Sequence, residues 1–210
     1  MHPLDRPIWS ALTTRQQALA EGGALARRYP SEVAPFADMV DMLPQSFAAL
    51  GAIMSGSEIA VLFTPDAVTA PAEFKVLLAE TGEQMIGTPA ECAIDGVEIV
   101  TLGAGDVLAM IALTTLTKPG PFSARTHELG TFLGIRVDGE LVAMAGERMK
   151  PANYTEMTAV TGQSRVVEDA STTANHRLAI FERIPRKAIA TSCEAQPPGR
   201  RRTFVAGTCE

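Results

Sequence analysis

The residues best suited to nucleophilic or metal chemistry are few and scattered along this chain of 210 residues. They are three cysteines and three histidines, Cys92, Cys193, Cys209, His2, His127 and His176. An odd number of distant cysteines argues against a disulfide framework, and the spacing contains no metal-ligand pattern. No Cys-His or Ser-His pairing is recognisable, which disfavours catalysis through a covalent intermediate. The sequence therefore predicts a reduced, cytoplasmic protein without a bound metal.

A second chemical candidate is the glycine pair Gly103-x-Gly105, which lies between a predicted strand and a predicted helix. A dinucleotide-binding loop uses a third glycine, and the corresponding position here is Leu108. A tight turn with a helix cap accounts for the same residues. An unrelated nucleotide-binding α/β protein therefore remains as an alternative of minor weight.

Composition and charge exclude several classes of protein. The chain is 46% apolar and 20% charged, which is typical of a globular protein. No apolar run reaches the ~18 residues that span a bilayer, and "MHPLDRPIW" lacks the pattern of a secretory signal. We therefore expect no membrane segment.

The net charge of −6 is unevenly distributed. Residues 1–149 carry 9 basic and 18 acidic side chains, whereas residues 150–210 carry 9 basic and 6 acidic ones. The acidic bulk disfavours nucleic-acid binding. The basic end, with "RRR" at 200–202, predicts a solvated, disordered tail that could attract anions.

Local patterns predict the elements that precede the middle of the chain. Strands are expected in "VAPFADMVD", "SEIAVLFTPD", "EFKVLLAETGEQMIGT" and "VEIVTLGA", and a short helix in "LPQSFAALGAIM". The third of these strands contains a predicted turn at Thr81-Gly82. Pro44 lies near the start of the short helix.

The clearest helix is predicted in "AGDVLAMIALTTLTKPGPF". Asp106 is the expected N-cap. One face carries the apolar side chains, namely Val107, Met110, Ile111 and Leu113. Pro119-Gly120-Pro121 is expected to end the helix.

A three-stranded antiparallel meander is predicted over residues 131–161. "GTFLGIRV" and "ELVAMAGERMK" flank Asp138-Gly139, which is typical of a two-residue type I′ turn because both central residues need positive φ. "NYTEMTAVT" follows as the third strand after a turn that contains Pro151.

The segment "ELGTFLGIRVDGELVAMAGERMKPANYTEMTAV", residues 128–160, resembles the GNAT superfamily of acyl-CoA-dependent N-acyltransferases, specifically the FR47-like group. A looser resemblance extends upstream through "HPLDRPIWSALTTRQQALAEGGALARRY" and "VAPFADM". The resemblance implies an α/β (α+β) fold with a mixed, mostly antiparallel sheet flanked by helices. It also implies an N-terminal lobe over residues 1–120 and a C-terminal acyltransferase lobe over 121–210.

The resemblance further implies where the chemistry occurs. The strand at 154–161 is expected to splay from its neighbour, so that Thr158, Ala159, Val160 and Thr161 pair with the pantetheine arm of acetyl-CoA. A carboxylate acts as general base on the acceptor amine, with Glu156 as the first candidate and Glu147 as the second. The alternative for each is a solvent-facing strand residue.

The sequence departs from the family after Val160. The family pattern Arg-Gly-x-Gly, which holds the pyrophosphate, is absent, and only Arg165 is placed to pair with a phosphate. The later strand of the family is not recognisable, and "AQPPGRRR" predicts a loop or a disordered tail. A shifted reading frame near codon 161 and a diverged C-terminal half are the two explanations. Either leaves a C-terminal part that is incomplete or disordered.

Two functions follow from the resemblance. The first is acetyl transfer from acetyl-CoA to a primary amine of a small molecule or peptide by direct attack. The alternative is a catalytically inactive GNAT-like binding module that lacks the pyrophosphate loop. If residues 162–210 do not complete the sheet, the strand at 154–161 is an exposed edge, which would allow a homodimer.

Overall fold

The computed structural model describes residues 2–87, 98–162, 188–192 and 200–209. The chain divides into two compact units. The first unit comprises Met1–Met85, Met149–Asn153 and Thr191–Glu210, and the second comprises Ile86–Arg148 and Tyr154–Ala190. The lobe boundary predicted near residue 120 remains a prediction.

The first unit contains two helices and two small antiparallel sheets. Its helices are α1 (Pro7–Thr13) and α2 (Pro44–Ile53). Its strands are β1 (Glu21–Gly22), β2 (Ala26–Arg28), β3 (Ala37–Met39), β4 (Ile59–Thr64), β5 (Phe74–Gly87) and β11 (Arg200–Cys209). One sheet has the order β1-β2-β3, and in the other β11 lies between β4 and β5.

The core of the first unit forms where α2 meets the strands. Pro44 occupies the first turn of α2, where a missing N–H costs nothing, so the helix begins as predicted. Phe47 and Leu50, three residues apart on one face, are buried together with Met39 of β3 and Leu62 of β4. The strands predicted around Phe36 and over "SEIAVLFTPD" are confirmed.

Within the described ranges, the second unit has one α-helix and a mixed sheet. The helix is α3 (Val107–Thr117). The strands are β6 (Ile99–Leu102), β7 (Phe132–Val137), β8 (Glu140–Glu147), β9 (Thr155–Gly162) and β10 (Ala188–Ser192). Within this unit the strands follow the order β6-β7-β8-β9-β10. Neighbours are antiparallel except for β9 and β10, which are parallel.

The predicted meander is confirmed by β7, β8 and β9. Asp138 and Gly139 have φ of 50° and 83°, which is the geometry that the Asp-Gly turn requires. Ala152, in the turn before β9, also has positive φ, at 45°. The turn chemistry therefore sets the register that carries the candidate site.

Helix α3 packs against one face of this meander. Met110 and Leu113 are buried with Phe132 and Met144, whereas Val107 and Ile111 of the predicted face are only half-buried. Lys118 follows in the left-handed conformation, so the helix ends just before Pro119 as predicted. Asp106 sits at the N-cap, but its side chain makes no capping hydrogen bond. The predicted N-cap position is therefore confirmed, although the side chain accepts the N–H of Gly103 rather than one from α3.

The prediction of a turn at Thr81-Gly82 is wrong. β5 runs without interruption from Phe74 to Gly87. Thr81 and Gly82 pair with Thr203 and Arg202 of β11. A partner strand distant in sequence thus supplies the hydrogen bonds that a local turn would otherwise have satisfied.

Among the described residues, the structure corrects two predictions about the C-terminal part of the chain. β10 lies beside β9 as the later strand that the sequence did not reveal. Residues 200–202 begin β11 rather than a disordered tail. The remainder of "AQPPGRRR" and the departure after Gly162, including Arg165, lie outside the described residues.

The helices of the described ranges are all too short or too polar to cross a membrane.

Candidate active site

The site begins where β9 changes from two neighbours to one. β10 pairs in parallel with residues 155–157 of β9, at Thr155, Glu156 and Met157. β8 pairs with β9 in antiparallel fashion as far as Gly162. Within the described parts of the chain, residues 158–162 are therefore paired on the β8 side alone.

A β-bulge lies within this one-sided stretch. Thr158 pairs with Gly146 and Thr161 pairs with Met144. Ala159 and Val160 consequently lie opposite the single residue Ala145. Bulges are common beside active sites because they redirect the backbone locally. The four residues 158–161, which are predicted to contact acetyl-CoA, thus span the bulge and lie in the stretch that pairs with β8 alone.

Glu156 is held in a buried ion pair. It is 2% exposed, and Arg148 is 8% exposed. Arg148 Nε donates to Glu156 Oε2 at 3.0 Å, and Arg148 Nη2 donates to Oε1. The solvent-facing alternative for Glu156 is therefore wrong. A carboxylate with both oxygens on a guanidinium is a poor acceptor for a substrate proton.

Glu147 is also buried, but it has different partners. Its Oε2 accepts the N–H of Thr131 at 3.0 Å, and its own N–H donates to the Thr131 carbonyl at 2.9 Å. The solvent-facing alternative is wrong here too. Glu147 lies opposite Met157, the last β9 residue that pairs with β10.

The two glutamates lie on opposite faces of the sheet. Opposed residues on antiparallel strands share a face, and successive residues alternate between faces. Glu147 shares the face of Met157, so Glu156, one residue earlier, lies on the other. Arg148 is four residues from Met144, which packs on α3. The Arg148–Glu156 pair therefore lies on the α3 face, and Glu147 does not.

Arg148 is the residue of this site that the sequence interpretation missed. The available signal was a charge pattern, because Arg148 and Glu156 flank a predicted turn at positions that oppose each other in a hairpin. The side chain of Thr158 is half-buried. For residues 159–161 only the backbone is described.

The loop at Gly103-x-Gly105 does not support nucleotide binding. Gly103 N–H donates to Asp106 Oδ2 at 2.9 Å, and Asp106 Oδ1 accepts from Arg136 Nη2 at 2.5 Å. The Gly103 N–H lowers the pKa of Asp106, and Arg136 adds to this effect. The Asp106 carboxylate therefore already binds the Gly103 N–H that a phosphate would need. Its negative charge would also repel a phosphate. Across the described ranges, His, Cys, Asp and Glu side chains form no group suited to a metal ion.

Comparison with known proteins finds structures with the same fold. No family model matches the sequence, and no curated protein matches it either. The structure matches that of a protein assigned to the GNAT acetyltransferases, from Novosphingobium aromaticivorans DSM 12444. The TM-score is 0.86 at 28% identity, and the match covers 100% of both chains. The chain therefore has the fold of the GNAT acetyltransferases.

Two further structures share the GNAT fold. A GCN5-related N-acetyltransferase from Kribbella flavida matches with a TM-score of 0.61 at 14% identity, over 97% of this chain and 95% of that one. A functionally unknown conserved protein from Staphylococcus epidermidis ATCC 12228 matches at 0.52 and 8% identity, over 96% and 100% of the two chains. The FR47-like placement within the GNAT superfamily and the departure after Val160 remain predictions.

Proposed function

We propose that this chain transfers an acyl group, namely acetyl, from acetyl-CoA to the primary amine of a small molecule or peptide. The observation that carries the proposal is the pairing of β9, which among the described residues is two-sided at 155–157 and one-sided at 158–162. The change of pairing coincides with the bulge, so a strand-like ligand would meet the sheet beside a redirected backbone.

The residues present fit the pantetheine arm of acetyl-CoA. This arm carries amide groups that pair with backbone N–H and C=O groups as an added strand does. Residues 158–161 would hold it through their backbone. Arg165 is proposed to pair with a phosphate of the same molecule. Acetyl-CoA supplies the thioester carbonyl, and its thiolate leaves when the amine forms the amide bond.

The chain's own contribution is to hold the amine and to remove its proton. We assign the general base to Glu147 rather than Glu156, because the guanidinium of Arg148 engages both oxygens of Glu156. Glu147 Oε2 accepts a neutral peptide N–H, which is a weaker hydrogen-bond donor than a guanidinium. Glu147 would accept the ammonium proton, directly or through one water, before the amine attacks.

Two other expectations are part of this proposal. The edge of β9 at residues 158–162, which in the described part of the chain pairs only with β8, would allow a homodimer, although β10 already covers residues 155–157. A cytoplasmic location agrees with the use of acetyl-CoA.

The test combines binding and turnover. Calorimetric titration with acetyl-CoA is expected to give micromolar binding, and a thiol-release assay over a panel of primary amines is expected to show turnover. Glu147→Gln should lower kcat by about 10²- to 10⁴-fold, the usual contribution of a general base. Glu128→Gln, at an exposed ion pair with Arg125, is the matched control.

The outcomes separate the alternatives. Binding without turnover on any amine supports the inactive binding module. No binding at millimolar acetyl-CoA overturns the proposed use of acetyl-CoA. Full activity in Glu147→Gln overturns the assignment of the base.

A further inference from the structure

The end of β8 and the start of β9 are joined by two kinds of contact between the same two residues. The backbone N–H of Arg148 donates to the carbonyl of Glu156 at 2.9 Å. Their side chains form the two-pronged ion pair, and both are buried. The position and the direction of β9 are thus fixed together at Glu156, because a planar guanidinium binds a carboxylate in few orientations.

The same residue is where β10 is attached. Ile189 of β10 pairs with Glu156, and its neighbours Ala188 and Ala190 pair with Thr155 and Met157. Glu156 is therefore the central residue of the three that have strands on both sides. The one-sided stretch begins two residues later, at Thr158.

Stability alone does not account for a buried ion pair at this position. Removing two charges from water costs about as much as their attraction returns, and well-packed apolar residues often serve equally well. What the ion pair adds is a defined geometry. The pair lies directly before the point at which β9 separates from β10. This location indicates that its geometry fixes the point of separation.

We infer that Arg148 and Glu156 form a positioning pair, which fixes the residue at which β9 separates from β10. The pair thereby sets the depth at which an acyl-CoA pairs with residues 158–162. The inference rests on the proposed function and extends it, since it assigns Glu156 a role in placing the cosubstrate. Neither residue acts on the reacting atoms.

The principal test variant is the double substitution Arg148→Met with Glu156→Leu. It removes both charges of the pair together, so neither is left in the core without the other. Glu156→Gln alone is the second variant, because it deletes the carboxylate. Arg125→Gln with Glu128→Gln is the matched control, since that pair has the same two-pronged geometry on the surface.

Three quantities are measured on each variant with acetyl-CoA and the best amine of the panel. They are KM for acetyl-CoA, the pH dependence of kcat, and hydrogen exchange of residues 155–162 without ligand. For the double variant we expect KM to rise by at least about tenfold, because a small displacement of a bound group is costly. We expect faster exchange at residues 155–162 and an unchanged acid limb in the pH profile. The control should match the wild type in all three.

The inference and the proposed function fail in different ways. If Glu156→Gln abolishes the acid limb, Glu156 is the base and the positioning role is overturned. If the double variant keeps the wild-type KM and exchange, the pair positions nothing. If the wild-type protein neither binds nor uses acetyl-CoA, the proposed function fails. Unchanged exchange in the double variant would then still overturn the structural part of the inference.

Discussion

Phe132 lies over Gly146 and occupies the space where a side chain on that residue would be. The two residues are opposed on β7 and β8. A Cβ built on Gly146 would lie 2.2 Å from Cδ1 of the Phe132 ring. The ring is 1% exposed and makes an edge-on contact with Phe122 at 5.8 Å, so it has little freedom to move. Gly146 also pairs with Thr158, the first residue of the one-sided stretch.

Gly146→Ala is therefore expected to lower the free energy of unfolding by about 1–3 kcal/mol, the usual cost of overpacking. The measurement is urea unfolding followed by fluorescence or circular dichroism. Gly105→Ala is the matched control, because nothing lies within 4 Å of a Cβ at that position. Equal stabilities for the two variants would mean that the Phe132 ring yields to an added methyl group.

A second prediction concerns the buried pair of Arg6 and Asp38 in the first unit. Arg6 Nε donates to Asp38 Oδ2 at 3.2 Å, and the N–H of Met39 donates to Oδ1 at 2.8 Å. Burial raises the pKa of Asp38, and the Arg6 guanidinium opposes that rise. Asp38→Asn leaves the arginine charge buried without a counterion. It is expected to cost about 3–5 kcal/mol of unfolding free energy.

The control for Asp38→Asn is Glu21→Gln, which breaks an exposed ion pair with Arg28 at 2.8 Å. Exposed pairs contribute only about 0–1 kcal/mol. Thermal and urea unfolding should therefore separate the two variants clearly. A loss for Asp38→Asn no larger than for Glu21→Gln would contradict the role assigned to the buried pair.

The third prediction is a pH dependence of stability at Glu58. The pKa of this carboxylate is lowered chiefly by the Arg28 guanidinium and then by the N–H of Ser55. A lowered pKa in the folded state contributes stability above the unfolded value of about 4.3, and this contribution disappears as the pH falls through the folded pKa. The stability difference between wild type and Glu58→Gln should therefore shrink between about pH 5 and pH 3.

Urea midpoints at several pH values test this dependence. Asp41, Asp106 and Glu128 also have lowered pKa values, so Glu58→Gln should retain part of the acid sensitivity. A stability difference that stays constant with pH would show that the ionisation of Glu58 is not coupled to folding.

The fourth prediction concerns the backbone of the one-sided stretch. If acetyl-CoA pairs with β9 as proposed, it should slow hydrogen exchange of amides in residues 158–162, because these amides gain partners. Exchange in β7, which has β6 and β8 as neighbours, should not change. Exchange measured with and without saturating CoA provides the comparison. Protection confined to other segments would place the ligand elsewhere.

Much of the second unit was predictable because its signals are local. Asp138-Gly139 specifies a turn through the φ values of two residues, and the alternation on either side specifies the paired strands. The resemblance of residues 128–160 to the GNAT superfamily depends on the same continuous segment. Pro44 and Pro119 likewise mark helix limits through their own covalent geometry.

What the sequence by itself determined was thus the meander, most of the local elements before it and the resemblance to the GNAT fold. The tertiary structure decided which distant residues meet. Thr81-Gly82 is extended rather than turned because β11 pairs with it, and Glu156 is engaged because the register brings Arg148 opposite. Register separates Glu147 and Glu156 onto two faces, since side chains alternate along a strand. Such pairings depend on hydrogen bonds between segments far apart in the chain, which no local pattern of residues encodes.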